Sequence, residues 1–199
     1  MRQINAVIGS SYGDAGKGLF TDYLSHLDPG ATVVRFNGGN QAGHTVNTPD
    51  GKHHIFSSFG AGSFVGNNSF LSSFFVFNPF VFKKEKYEFN KKSLLPNIYI
   101  NKNAYLSTPF DIILNQAVEI KRDNERHGSC GLGFGETIER CEKSEYLTNM
   151  MALKYKDFFW KQLNNIQENY LKYRIEDYLS FAKDNYFLRY IIENDKSFK

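Results

Sequence analysis

The apolar positions change period several times along the chain, and the changes outline its elements. Residues 4–9 hold Ile4, Ala6, Val7 and Ile8 in one short run and read as a buried strand. In KGLFTDYLSHL, residues 17–27, Leu19, Phe20, Tyr23, Leu24 and Leu27 recur at helical spacing, and Asp28-Pro29-Gly30 stops the helix. ATVVRF, residues 31–36, returns to strand. Thr45-Val46 and residues 53–56 flank Asn47-Thr48-Pro49-Asp50-Gly51-Lys52, which predicts a hairpin.

Residues 57–69 are rich in Gly, Ser and Asn and read as loop, and residues 70–77 as a buried strand. Asn78-Pro79 predicts the start of a short helix over about 79–88. Residues 94–100 read as a further strand and residues 109–121 as a helix with Ile112, Ile113, Ala117 and Val118 on one side. From about residue 144 onward Gly and Pro are absent, and spaced apolar residues such as Leu147, Met151, Leu163, Ile166, Tyr170 and Ile175 predict a tail of two or more helical segments. The order strand, glycine-rich loop, helix, strand opens a parallel α/β unit. The expected architecture is an α/β domain with a mostly parallel sheet over 1–143 and a helical segment over 144–199, packed on it or at an interface.

Composition narrows the classes. Among 199 residues, 41% are hydrophobic, so a buried core is feasible, and the 19 Phe and 12 Tyr make a high aromatic content expected to divide between the core and an exposed interface. The net charge of +3 is mild and the basic residues are interleaved with acids, which fits a phosphate pocket without requiring nucleic acid. Cys130 and Cys141 have no third Cys or His at metal-ligand spacing and make no secreted disulfide framework. No span reaches the roughly 20 apolar residues that cross a membrane. The first strand begins too close to Met1 for a signal peptide, so cytoplasm is the expected compartment.

The chemistry concentrates behind two strands. Gly13-Asp14-Ala15-Gly16-Lys17-Gly18 lies where a strand enters a helix, and backbone N–H groups with the helix N-terminus favour phosphate oxygens there. Lys17 adds a mobile positive charge. The spacing is tighter than GxxxxGK[ST] and lacks the hydroxyl after the lysine. Asp14 fits three roles: Mg²⁺ ligand, proton acceptor from a substrate nitrogen, or cap of the following helix. In the second loop, Gly38-Gly39-Asn40-Gln41-Ala42-Gly43-His44-Thr45, His44 is placed to donate a hydrogen bond or proton to a phosphoryl oxygen. Residues 128–135 alternate Gly with Cys130, Leu132 and Phe134 and read either as a second phosphate cradle or as a structural turn.

Residues 12–18, Val33-Val34-Arg35-Phe36 and residues 38–45 resemble, in order and spacing, the adenylosuccinate synthetase family, with weaker resemblance through Gly60-Ala61-Gly62 and residues 128–135. Phage relatives that act on deoxyguanylate belong to the same group. The resemblance implies a GTP- and Mg²⁺-dependent ligase that joins L-aspartate to a purine nucleoside monophosphate, IMP or dGMP. It implies Asp14 as base and Mg²⁺ ligand, Gly43 as a carbonyl ligand to Mg²⁺, Lys17 on the GTP phosphates and His44 on the transferring phosphoryl group. Gly13, Ala15, Gly16, Gly18 and Thr45 complete the nucleotide contacts, while Asn40, Gln41, Ser129 and Cys130 fall at substrate positions. It also suggests a homodimer.

Several positions depart from the family pattern. Gln41 stands for an asparagine, Asn40 for a histidine, Leu132 for an arginine and Glu136 for a proline, and the Cys130 S–H is a weak donor where the family has a threonine. The family's partner-supplied arginine falls near Thr148. The guanine-recognising and aspartate-binding segments of the family have no match in residues 150–199. A nucleotide-binding protein that has lost ligation, and a simple NTP phosphohydrolase or phosphotransferase, are therefore the alternative readings.

Overall fold

The computed structural model describes residues 4–10, 13, 15–91, 96–122, 124 and 127–176. Two compact units divide the chain, residues 1–104 and 105–199. The division therefore lies well before the expected boundary at 143/144. The reason is the fully buried Arg140, which bonds to residues on both sides of that boundary and holds them in one unit.

In the first unit, α1 (Lys17–Leu27) leads to β1 (Thr32–Gly39), a hairpin of β2 (His44–Asn47) and β3 (His53–Phe56), a 3₁₀ turn (Ala61–Val65), β4 (Asn68–Phe77), α2 (Pro79–Lys91) and β5 (Ile98–Ile100). The strands run parallel in the order β1-β4-β5, with Val34 opposite Phe70 and Phe70 opposite Tyr99. A register shift between Arg35 and Asn37 bends the end of β1 that enters the second glycine-rich loop. The predicted hairpin forms with His44 opposite Phe56. The predicted start of α2 also forms: the Asn78 side chain accepts from Phe80 N at 3.0 Å and Val81 N at 3.3 Å, with Pro79 in the first turn. The helix runs past 88 to Lys91.

The core of this unit is aromatic. Val46, Phe56, Phe59, Ala61 and Phe89 are buried together, with Phe64, Phe82 and Ile98 packed around them. The Phe56 and Phe64 rings meet edge to face at 5.2 Å, and Phe59 and Phe89 at 4.8 Å. The opposite sheet face carries Val34, Phe36, Phe74 and Tyr99, all exposed, with the Phe36 and Phe74 rings 5.2 Å apart.

One expectation is corrected here, and the helix predicted over 17–27 forms as Lys17–Leu27. Residues 4–9 join no strand ladder, and Ile4 and Ile8 are 94% and 85% exposed. An apolar run gives a strand only where a neighbouring edge accepts its backbone bonds, and none of the described strands pairs with residues 4–9. In α1 the apolar stripe faces outward: Leu19, Phe20, Tyr23 and Leu27 are exposed, while Gly18, Asp22 and Ser25 are buried. This small, polar face lets the helix approach the 3₁₀ turn closely; a Cβ on Gly62 would lie 2.2 Å from Ser25 Oγ.

The second unit contains β6 (Tyr105–Leu106), α3 (Pro109–Arg122), α4 (Phe134–Glu142), 3₁₀ turns, α5 (Lys156–Asn165), a π-helical stretch (Ile166–Leu171) and α6 (Lys172–Glu176). Tyr105 bridges Asn149. Asp111 takes Thr108 N at 2.7 Å at the start of α3 and pairs with Arg140 at 2.7 and 2.8 Å. Arg140 also donates to the carbonyls of Tyr146 and Leu106. Phe110, Ile113, Leu114, Ala117, Ile166 and Tyr170 form the apolar core, so the predicted helical tail contributes Ile166 and Tyr170 to it. The tail positions from 177 onward lie outside the described residues.

Candidate nucleotide site

The first loop reaches α1 through two glycines of unusual backbone, Gly13 at φ 148° and Gly16 at φ 67°, a region that L side chains rarely enter. Gly16 is the residue before the helix, so Lys17 occupies its first position and the free N–H groups of the first turn open beside it. The Lys17 side chain folds back over Gly9, where a Cβ would meet its Nζ at 2.8 Å. Ala15 is exposed, and Asp14 lies outside the described residues. Val7, Ile8, Lys17, Leu19, Phe20 and Tyr23 border a cavity of about 580 Å³, so an apolar wall stands next to the lysine.

The second loop meets the first at Gly18. A Cβ there would sit 2.8 Å from His44 Cβ and 3.2 Å from His44 backbone atoms. Only glycine permits that approach, and it brings the histidine against the first turn of α1. Gly43 is held as closely on the other side, where a Cβ would touch Ile55 Cγ2 at 2.7 Å. Burial, and then the charges of Arg35 and Lys17, push the His44 imidazole down to about 4. At neutral pH it is uncharged and keeps one N–H to donate.

The remaining substrate positions are placed differently. Asn40 is 2% exposed, and its amide bonds Ser58 Oγ at 2.6 Å and accepts from Asn78 N at 2.6 Å. Its side chain is thus turned into the protein and fixes the loop, against the expectation of a substrate contact. Gln41 is half-buried, and Gly43 and Thr45 are exposed.

Ser129 and Cys130 are exposed in the second unit. Their loop is bonded to α3: Ser129 Oγ and Gly133 N each donate to Asn115 Oδ1 at 3.3 Å, and Gly128 N donates to Glu119 Oε2 at 3.2 Å. Burial tends to raise the Glu119 carboxyl, but Arg122 and the Ser129 and Gly128 amides hold it below its ordinary range. Glu136 is pushed up by burial, although Asn115 donates to it at 3.0 Å.

Sequence reasoning missed Arg35 and Glu85. Arg35 is buried midway along β1 and donates to Ala42 O at 3.0 Å and Gly39 O at 3.4 Å, its guanidinium 4.9 Å from the Phe75 ring centre. The available signal was a single cation inside the otherwise apolar run VVRF. Among the described residues no group of three or more His, Cys, Asp or Glu side chains has metal-site geometry, and no helix is long and apolar enough to cross a membrane.

The adenylosuccinate synthetase family profile matches residues 6–196. The chain belongs to the adenylosuccinate synthetase family. It is 35% identical over 133 residues to the synthetase of Borrelia turicatae (strain 91E135), covering 66% of this chain and 30% of the relative. With that of Microcystis aeruginosa (strain NIES-843 / IAM M-2473) it shares 32% over 194 residues, 89% of this chain and 42% of the relative. The chain thus spans less than half the length of these curated relatives.

Two solved structures share the fold. The fully ligated adenylosuccinate synthetase from Plasmodium falciparum superposes with TM-score 0.69 at 24% identity, over 94% of this chain and 44% of that one. Cyanophage S-2L succinoaminodeoxyadenylate synthetase, bound to dGMP and to dATP as an energy donor, gives TM-score 0.52 at 19% identity, over 67% and 36%. The parallel sheet, the phosphate-loop motif and the C-terminal helices of this family fold are all present.

Proposed function

We propose that this family member joins L-aspartate to a purine nucleoside monophosphate, IMP or dGMP, at the expense of a nucleoside triphosphate. The observation that carries the reading is the close approach of Gly18 to His44, which gathers the phosphate-loop lysine and a neutral histidine at one place. Lys17 and the N–H groups of the first turn bind triphosphate oxygens. His44 donates its remaining N–H to the phosphoryl group as charge builds during transfer. Asp14 takes the N1 proton of the base, so that the 6-oxygen attacks the γ-phosphate. The aspartate amine then displaces phosphate from C6.

GTP is the proposed donor; ATP-type donors belong in the test because the cyanophage relative was solved with dATP. Asp14 and the Gly43 carbonyl are hard oxygen donors suited to Mg²⁺, which when bound neutralises phosphate charge. Ser129 and Cys130 are the proposed contacts to the acceptor nucleotide, and the proposed assembly is a cytoplasmic homodimer.

A second reading, nucleotide binding without ligation, is favoured by the loop of Ser129 and Cys130, whose Gly128 and Gly133 amides are already bonded to Glu119 and Asn115. The purified chain, given Mg²⁺, L-aspartate, GTP or dATP, and IMP or dGMP, separates the readings through phosphate release and product mass. Aspartate-dependent release with a succinylated purine supports ligation. Binding without product supports the second reading, and aspartate-independent release supports simple phosphoryl transfer.

A further inference from the structure

Behind the loop that carries His44 lies a largely buried polar network that reaches the loop through Arg35 and Asn40. Its centre is Glu85 on α2, with 5% of its side chain exposed. The carboxylate accepts three hydrogen bonds: Ser57 N at 3.1 Å and His54 Nε2 at 3.2 Å on Oε1, and Ser58 N at 2.5 Å on Oε2. These bonds fix the 57–58 segment just after β3. The segment then offers the Ser57 carbonyl to the Arg35 guanidinium and the Ser58 hydroxyl to the Asn40 amide. Arg35 carries the restraint on to the carbonyls of Gly39 and Ala42. Asn40 carries it back to Asn78, the residue that caps α2.

The geometry points to Glu85 as a positioning residue for the His44 loop: from α2 it orients residues 57–58, and through Arg35 and Asn40 they set the backbone of residues 39–42 immediately before Gly43 and His44. This deepens the proposed function and rests on its assignment of His44. The carboxylate suits the task because it accepts at both oxygens, whereas an amide presents one oxygen and turns an NH₂ toward at least one of the three N–H groups. Its charge also opposes the effect of burial, which lowers Arg35 to about 10. No conventional ion-pair contact joins Glu85 to Arg35 among the described residues, so the coupling runs through the peptide between them.

The test uses the full chain with Glu85→Gln and Glu85→Asp, and with His44→Asn beside them. GTP-dependent phosphate release gives kcat and KM, and the ¹⁵N resonances of the His44 ring report its placement directly. In Glu85→Gln the expected result is a kcat lower by roughly tenfold or more, a KM for GTP within about threefold of the parent, and a displaced His44 ring signal. Glu85→Asp recovers part of kcat. A parental kcat with an unmoved His44 signal overturns the inference. So does a loss of kcat and KM in step with thermal stability that Glu85→Asp does not relieve. If the parent chain releases no phosphate, the functional reading fails on its own. The His44 signal then decides the positioning role: displacement in Glu85→Gln upholds it, and an unmoved signal overturns it.

Discussion

The loops at 38–45 and 127–133 have similar glycine content and opposite electrical settings. The first lies against cations: Arg35 bonds its carbonyls, and the charges of Arg35 and Lys17 bear on its histidine. The second has its amides bonded to its own scaffold, with Gly128 N on Glu119 and Gly133 N on Asn115. An anion arriving at the first loop meets positive charge and a neutral donor. An anion arriving at the second must compete with the Glu119 carboxylate and the Asn115 amide oxygen, which already hold N–H groups of the loop. Glycine content sets what a backbone can do; the side chains beneath it decide which groups are left to offer.

The comparison is broken most severely by removing the platform of the second loop. Asp111→Ala leaves the fully buried Arg140 without its carboxylate, and the second unit is expected to lose about 3–5 kcal/mol. Denaturant unfolding followed by amide exchange at Leu106 and Tyr146 measures this. Next in size is Gly18→Ala, which drives a methyl into His44 at 2.8 Å, against backbone as well as side chain. Overpacking of this kind costs about 1–3 kcal/mol, and GDP affinity measured by calorimetry should fall by roughly ten- to a hundredfold. Parental affinity in a folded Gly18→Ala chain would show that the contact is irrelevant to binding.

Acid gives a smaller effect confined to the first loop. The imidazole of His44 titrates near 6.5 when unfolded and at about 4 when folded. Its contribution to stability is complete above pH 6.5 and is lost as pH falls from there through about 4, because the unfolded chain takes the proton first. The ring is only half-buried, so solvent screening reduces the effect. Denaturation midpoints at pH 7, 5.5 and 4.5 should converge between the parent and His44→Asn at the low end. The smallest change sharpens the comparison: Glu119→Gln should speed amide exchange at Gly128 and Ser129 by about threefold to tenfold while GDP affinity stays as in the parent. Unchanged exchange would mean that the carboxylate does not hold the loop.

Much of this was legible from residues alone, and the failures have a common physical cause. Asn78-Pro79 announced a helix because capping is local, and Thr48-Pro49-Asp50-Gly51 announced a hairpin because turn chemistry is local. The family resemblance read from the two loops agrees with the match over residues 6–196. What the sequence concealed depends on partners far along the chain. The run at 4–9 looks like a strand, yet it joins no ladder edge. The apolar stripe of α1 looks like a buried face, yet the close approach is made by Gly18 and Ser25. Asn40 reads as a substrate position and Glu85 carries no signal, yet they join across 18 and 28 positions to Ser58 and Ser57. Periodicity gives the shape of an element, not what lies opposite it.

The open face of the parallel sheet has a thermal consequence. Val34, Phe36, Phe74 and Tyr99 are hydrated in the folded chain and remain so after melting. The heat capacity of unfolding comes largely from apolar surface that becomes newly wetted. These four side chains therefore add little to it, and the first unit should unfold with less than the roughly 12–15 cal/mol/K per residue usual for globular proteins. Its stability curve is correspondingly broad and shallow, changing slowly with temperature.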